Sequence, residues 1–221
     1  MLLITITGLT DILHYFRMNT KCGNKSNQKI NMRYRQSGMP VEGTWETYFS
    51  PKEILIQLEV NSFIKNYIEI GCGYGTFLFP ASGLVSNKAI GIDIDNDIIE
   101  VCKTKISRQQ KNNIELISGD ITEIETLNKI KKFDPIDYVG LFNILHCENP
   151  INLLQVVHDL ISSNGKLGII HWNYENTPPG PSLDIRPKKE SIIEWCQSVG
   201  FELTGTFDFK PYHFGLLFKK L

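Results

Sequence analysis

Five residues, Gly71-Cys72-Gly73-Tyr74-Gly75, follow an apolar stretch ending in Glu69-Ile70 and precede a segment with helical patterning. Glycines at alternate positions allow a tight turn and let a ligand approach bare backbone. Asp93 ends the next apolar run, Ala89-Ile90-Gly91-Ile92-Asp93, 18 residues after Gly75. A carboxylate there can accept from both hydroxyls of a ribose; it could equally cap the following helix, a role that Asp95 and Asp97 also fit. Asp120, in Ile117-Ser118-Gly119-Asp120-Ile121, closes a third apolar run. It could accept from an adenine amino group or cap a helix starting near Thr122. The pattern is therefore a glycine turn with two carboxylates at successive strand ends, suited to a nucleoside-bearing ligand.

Further along, His146 could act as a general base, since an unperturbed imidazole titrates near ~6.5; the alternative is a local bond at the top of a strand. His171 lies near the end of another strand and can face the same side. Arg33, Arg35 and Arg186 could clamp a carboxylate or phosphate, or could lie on the surface beside aromatic packing. They fall in the two segments expected to shape substrate choice. One is 33–49, with Trp45, Tyr48 and Phe49; the other is the Pro/Gly-rich stretch 172–187, long enough for a binding loop.

The elements that must position these residues alternate. Helical periodicity covers 44–60, broken near Ser50-Pro51, where Ser50 suits an N-cap and Pro51 a first helical residue. Strands are predicted at 67–70, 89–94, 114–117, 136–142 and 166–172. Between and after them come helices at 76–85 (disturbed by Pro80), 96–110, 122–131, 151–162 (closed by Asn164-Gly165) and 187–199. The segments 201–207 and 212–219 can form a final antiparallel pair. This order predicts an α/β fold: a doubly wound, mostly parallel seven-stranded sheet with helices on both faces and a C-terminal antiparallel strand pair. Its ligand site should lie at the carboxyl ends of the strands.

The three acidic and glycine motifs, in this order, resemble the class I S-adenosylmethionine-dependent methyltransferases. So do Asp137 to His146 at the fourth strand and Pro211 to Phe218 at the seventh. The resemblance runs from about Glu46 to the C-terminus. It implies methyl transfer from S-adenosylmethionine, with a cofactor site formed by Glu69, Gly71, Cys72, Gly73, Tyr74, Gly75, Asp93, Ile94, Asp120, Ile121 and Asn143. Within that set, the backbone of Gly71 and Gly73 would lie under the methionine part, Asp93 would hold the ribose, and Asp120 with Ile121 the adenine. Phe142-Asn143-Ile144-Leu145-His146 stands where enzymes acting on amide or exocyclic nitrogens often carry Asn-Pro-Pro-Tyr. This favours a small-molecule acceptor. A nicotinamide-dependent oxidoreductase is disfavoured by Thr76, where its fingerprint needs glycine or alanine. A cofactor-binding, non-catalytic partner subunit of the same fold stays open.

Composition narrows the setting. Of 221 residues, 42% are hydrophobic and 21% charged, with a formal net charge of -1. That balance gives no long-range attraction to nucleic acid or an anionic membrane. Cys22, Cys72, Cys102, Cys147 and Cys196 are scattered and odd in number, which argues for reduced thiols, a cytoplasmic location and no metal site. The apolar stretch 2–16 is interrupted by Asp11 and His14, so neither a membrane span nor a signal peptide is expected. Residues 1–43 are read as an extension and arm, and 44–221 as the catalytic domain.

Overall fold

The computed structural model describes residues 42–177 and 180–221, with the side chains of 44–46 outside that description. The chain begins with α1 (Glu42–Trp45), a 3-10 turn (Glu46–Tyr48) and α2 (Pro51–Gln57). Strand β1 (Asn66–Ile70), α3 (Leu78–Ser82), β2 (Lys88–Asp93), α4 (Asn96–Gln109) and β3 (Ile114–Ser118) follow. Next come α5 (Ile124–Ile130) with a 3-10 turn (Lys131–Phe133), β4 (Ile136–Phe142), α6 (Pro150–Leu160) and β5 (Ile161–Trp172). The chain finishes with α7 (Lys189–Ser198), β6 (Phe201–Phe209) and β7 (His213–Lys220).

The seven strands form one sheet in the order β3-β2-β1-β4-β5-β7-β6. Strands β1 to β5 pair in parallel, while β7 runs antiparallel between β5 and β6. This is the predicted seven-stranded α/β sheet. Strand order reverses between β1 and β4, which opens a crevice at their carboxyl ends.

Alternation along each strand divides the core into two layers. In β1, Ile68 and Ile70 face a layer with Leu154 and Val157 of α6 and Ile192 and Cys196 of α7. Tyr67 points the other way, towards Leu55 of α2, Leu78 and Ala81 of α3, and Ile99 of α4. In α4, Ile99 and Cys102 are buried as expected, while Ile98 and Ile106 are only half-buried.

Most element ends shift from the predicted ones by a few residues, and three local readings change. Helix α3 is shorter than 76–85, because Thr76 and Phe77 belong to the turn; Pro80 then falls in the first helical turn, where its missing N–H costs nothing. Pro51 does open α2, but the Ser50 side chain makes no cap bond. Helix α6 ends at Leu160 and passes straight into β5, so Asn164-Gly165 does not close it. Asn164 instead sits at φ +64° where the β4–β5 register jumps between the pairs Ile136–Ile161 and Tyr138–Lys166.

Candidate active site

The glycine loop leaves β1 and is tied at once to β2: the Gly71 and Cys72 N–H groups donate to the Ile92 carbonyl at 2.8 and 3.0 Å. Gly71, Gly73 and Gly75 have φ of +71°, +50° and +80°, a region costly for residues with a Cβ. Space forbids one as well. A Cβ on Gly71 would lie 2.7 Å from Ile144 Cγ2, and one on Gly75 would lie 2.5 Å from the Phe79 ring. Beneath the loop, Cys102 Sγ lies 3.2 Å from the Gly73 carbonyl, and both Cys72 and Cys102 are buried free thiols. Lys105 donates to the Tyr74 carbonyl at 2.8 Å and also pairs with Glu42, anchoring α1 to the loop. Glu69 is buried at the end of β1, accepts from the Tyr67 hydroxyl at 3.3 Å, and has its pKa pushed well up by burial.

Asp93 holds this turn in shape. Its Oδ2 accepts from the Gly73 N–H at 3.0 Å and its Oδ1 from the Asp95 N–H at 3.0 Å. Burial raises its pKa, against the lowering effect of these bonds. The capping role falls to the next acid: Asp95 is the N-cap of α4 and accepts from the Asp97 N–H at 2.9 Å. The Gly119 N–H donates to the Asp93 carbonyl at 3.0 Å, so the turn after β3 lies against the end of β2. There, Asp120 Oδ1 accepts from the backbone and hydroxyl of Thr122 at 2.9 and 2.7 Å. It therefore orders its own turn and does not cap α5, whose N-cap is Glu123. Ile121 is buried, whereas Ile94 leaves 47% of its surface exposed beside Asp93.

The other half of the crevice is built from the ends of β4 and β5 and the start of β7. Asn143 adopts φ +58° and donates its backbone N–H to Ile170 at 2.8 Å. Both polar atoms of its buried side chain lack a hydrogen-bond partner, as do Nδ1 of His146 and both ring nitrogens of His171. The rings of His146 and His171 meet edge to face with centroids 5.8 Å apart. His213 pairs across the sheet with Trp172, their ring centroids 4.0 Å apart. Burial first, and the Arg186 charge second, lower the pKa of His146 to about 4 and of His213 to about 3. His171 is held well below the ordinary range by burial and then by His146. All three imidazoles are therefore neutral near pH 7.

Arg186 does not present an open fork to a carboxylate or phosphate. Its Nε donates to the Pro181 carbonyl at 3.0 Å, and Nη1 donates to the Asn173 and Glu175 carbonyls, both at 2.9 Å. Nη2 donates to Pro181 at 2.6 Å and to Thr177 Oγ1 at 3.1 Å. All five donors are thus engaged, and the guanidinium lies over the Trp172 ring. It gathers Asn173, Glu175, Thr177 and Pro181 beside Trp172. Phe49 reaches the same region, packing on Phe77 beyond the glycine loop at 5.1 Å and on His213 at 4.6 Å. Tyr48 packs edge-on against Trp172 and Tyr212. Arg33 and Arg35 lie outside the described residues, as does the side chain of Trp45. Sequence reasoning did not single out His213, which the structure sets against Trp172 and Phe49. Its signal was its place at the start of a strand that must pair with β5.

The family model described as a methyltransferase domain matches residues 64–201. The chain belongs to that family. Among curated proteins it is 26% identical to a ribosomal protein L11 methyltransferase from Clostridium botulinum, over 38% of this chain and 34% of that protein. It is 23% identical to a demethylmenaquinone methyltransferase from Lactococcus lactis, over 50% of this chain and 43% of that protein. The chain thus matches less than half the length of each. Among solved structures it resembles a SAM dependent methyltransferase from Aquifex aeolicus with a TM-score of 0.68 and 18% identity, covering 78% of this chain and 90% of that one. A methyltransferase needs a methyl-donating cofactor, and the loop offers one bare backbone. At Gly71 and Gly75 a Cβ would strike Ile144 and Phe79, so the loop packs only as bare backbone, and it is flanked by the Asp93 carboxylate and the exposed Ile94. Among the described residues no group of three His, Cys, Asp or Glu side chains could hold a metal, and no helix is long and apolar enough to cross a membrane.

Proposed function

We propose that this methyltransferase transfers the methyl group of S-adenosylmethionine to a small molecule bound at the ends of β4, β5 and β7. The observation that carries the reading is the positive-φ glycine cradle with Asp93 bonded into it. On this reading Gly71, Cys72, Gly73, Tyr74 and Gly75 lie under the methionine part, with Glu69 beneath them. Asp93 holds the ribose, Ile94 and Ile121 flank the adenine, Asp120 accepts from its amino group, and Asn143 faces the methionine end. Bound S-adenosylmethionine supplies an electrophilic methyl group on sulfur. The chain's part is to align the acceptor, exclude water and receive a proton, and alignment alone can supply much of the rate. His146, neutral near pH 7, can take that proton. The near-zero net charge supports a small acceptor rather than nucleic acid. Unpaired cysteines support a reducing, cytoplasmic setting. The catalytic domain on this reading is 44–221, with the arm 1–43 outside it.

The test is calorimetric titration of the full chain with S-adenosylmethionine, S-adenosylhomocysteine and NAD. Binding of the first two and not the third is expected. Binding of NAD alone, or of none, overturns the reading.

A further inference from the structure

The acceptor side of the crevice carries an unusual inventory. Asn143 Oδ1 and Nδ2, His146 Nδ1, and His171 Nδ1 and Nε2 are enclosed atoms with no hydrogen-bond partner. Their residues are all nine-tenths or more buried. An enclosed polar atom is costly to leave unpaired, so a ligand able to pair with several of them at once is favoured. A neutral imidazole offers one donor and one acceptor, and a carboxamide offers both. The partner must therefore be able to donate and to accept.

Arg186 is the permanent positive charge that acts on all three imidazoles, behind the effect of burial, while the carboxylates of Glu148 and Asp120 act on Cys147 beside His146. Arg186 is 5% exposed and spends its donors on carbonyls and one hydroxyl, so its charge is not neutralised by an ion pair among the described residues. The Glu175 carboxylate, which also acts on Arg186, belongs to an exposed residue. Such a site opposes an ammonium ligand and favours a group that carries or develops negative charge. One flank is flat and apolar: Phe214 pairs with His171 across the sheet and packs on its ring, whereas Trp172, the next residue in β5, faces the opposite side of the sheet.

Resting on the methyl-transfer reading above, we infer that the acceptor is an ionisable hydroxyl on a flat ring, of the phenol or enol class. It is held by Asn143, His146 and His171 and favoured in its ionised form by the buried Arg186 charge. The hydroxyl proton leaves to solvent, relayed by the neutral His146 imidazole, so that the acceptor is bound ionised. The oxygen lone pair forms the new bond to the methyl carbon as the carbon–sulfur bond breaks, leaving that electron pair on sulfur. The sulfonium charge is thereby discharged, and the product is a methyl ether.

A chromogenic phenol tests this directly. The full chain, saturated with S-adenosylhomocysteine, is titrated with 4-nitrophenol, with benzylamine and toluene as ring-matched probes, and ionisation of the phenol is followed by its phenolate absorbance. The expected result is saturable binding of 4-nitrophenol, with its ionisation moved down by about one pH unit or more, and no measurable competition by benzylamine. His171→Phe, which fills the same space but offers no hydrogen bond, should weaken 4-nitrophenol binding about ten-fold or more while leaving the S-adenosylhomocysteine affinity unchanged. Failure of S-adenosylhomocysteine to bind sinks the methyl-transfer reading itself. If it binds normally, then absence of phenol binding, an upward or absent shift, tighter binding of the amine or toluene, or undiminished phenol binding by His171→Phe overturns the hydroxyl assignment alone.

Discussion

Replacing Asp93 with asparagine isolates the carboxylate's two tasks. In the wild type, Oδ2 accepts from Gly73 and Oδ1 from Asp95, each at 3.0 Å. An asparagine has one acceptor and one N–H₂ group, so one of the two backbone N–H groups loses its partner and meets a donor instead. A hydrogen bond to a charged group contributes about 1.5–3 kcal/mol, which converts to a roughly ten- to hundred-fold loss of S-adenosylhomocysteine affinity if the ribose loses one such bond. Part of that loss could arise indirectly, from a loosened glycine loop. Calorimetry with the 2′,3′-dideoxy analogue of S-adenosylhomocysteine separates the two: the variant should discriminate far less between ligand and analogue than the wild type does. Equal discrimination by both proteins refutes the ribose contact and leaves Asp93 as a loop support. Wild-type affinity for the parent ligand refutes both roles.

Two other outcomes are expected. The imidazoles of His146 and His213 have folded-state pKa values of about 4 and about 3, so between those values and the unfolded value of ~6.5 the unfolded chain binds more protons. Stability should accordingly be fully present above ~6.5 and fall by up to about 1.4 kcal/mol per pH unit for each group as pH drops. Urea midpoints at pH 7 and pH 5 check this, and equal midpoints refute the neutral assignment. Arg186→Lys keeps the charge but cannot span the carbonyls of Asn173, Glu175 and Pro181. Amide hydrogen exchange at 173–177 and 180–182 should rise about ten-fold or more while S-adenosylhomocysteine affinity stays unchanged; wild-type exchange removes the strut role.

Strand β4 was legible to the residue because Ile136–Phe142 is an apolar run bounded by Pro135 and Asn143, and the sheet followed from such runs alternating with helical periods. Turn residues misled because one residue type serves several turns. Asn164-Gly165 has the chemistry of a helix C-cap, yet the left-handed residue is spent on a register jump inside β5. Asp93 and Asp120 could be placed from sequence because their positions at strand ends fix which side of the sheet they face. Arg186 could not. Its fate depends on three carbonyls and a hydroxyl from 173–181 converging on one guanidinium, a tertiary property with no periodic signature. His213 escaped for a similar reason: its partner Trp172 is 41 residues away and meets it only through antiparallel pairing of β5 with β7.

The two halves of the crevice satisfy their polar groups in opposite ways, and this bears on how the reaction is favoured. Around the glycine loop the bonds are already made: Gly71 and Cys72 donate to Ile92, Gly73 to Asp93 and Gly119 to the Asp93 carbonyl. That side is preorganised, so little ordering entropy remains to be lost on binding. Beside it, Asn143, His146 and His171 hold enclosed polar atoms open, a standing cost that only a complementary acceptor, or water in its place, relieves. Ile144 joins the halves. It follows Asn143 directly, and its Cγ2 lies where a Gly71 Cβ would stand. Any shift of the 143–146 segment that admits an acceptor must therefore be felt at the first glycine of the loop, the position proposed to lie under the methionine part. Acceptor binding and cofactor alignment are then coupled through one side chain, and interactions strengthened when both are in place act on the transition state more than on either ligand alone.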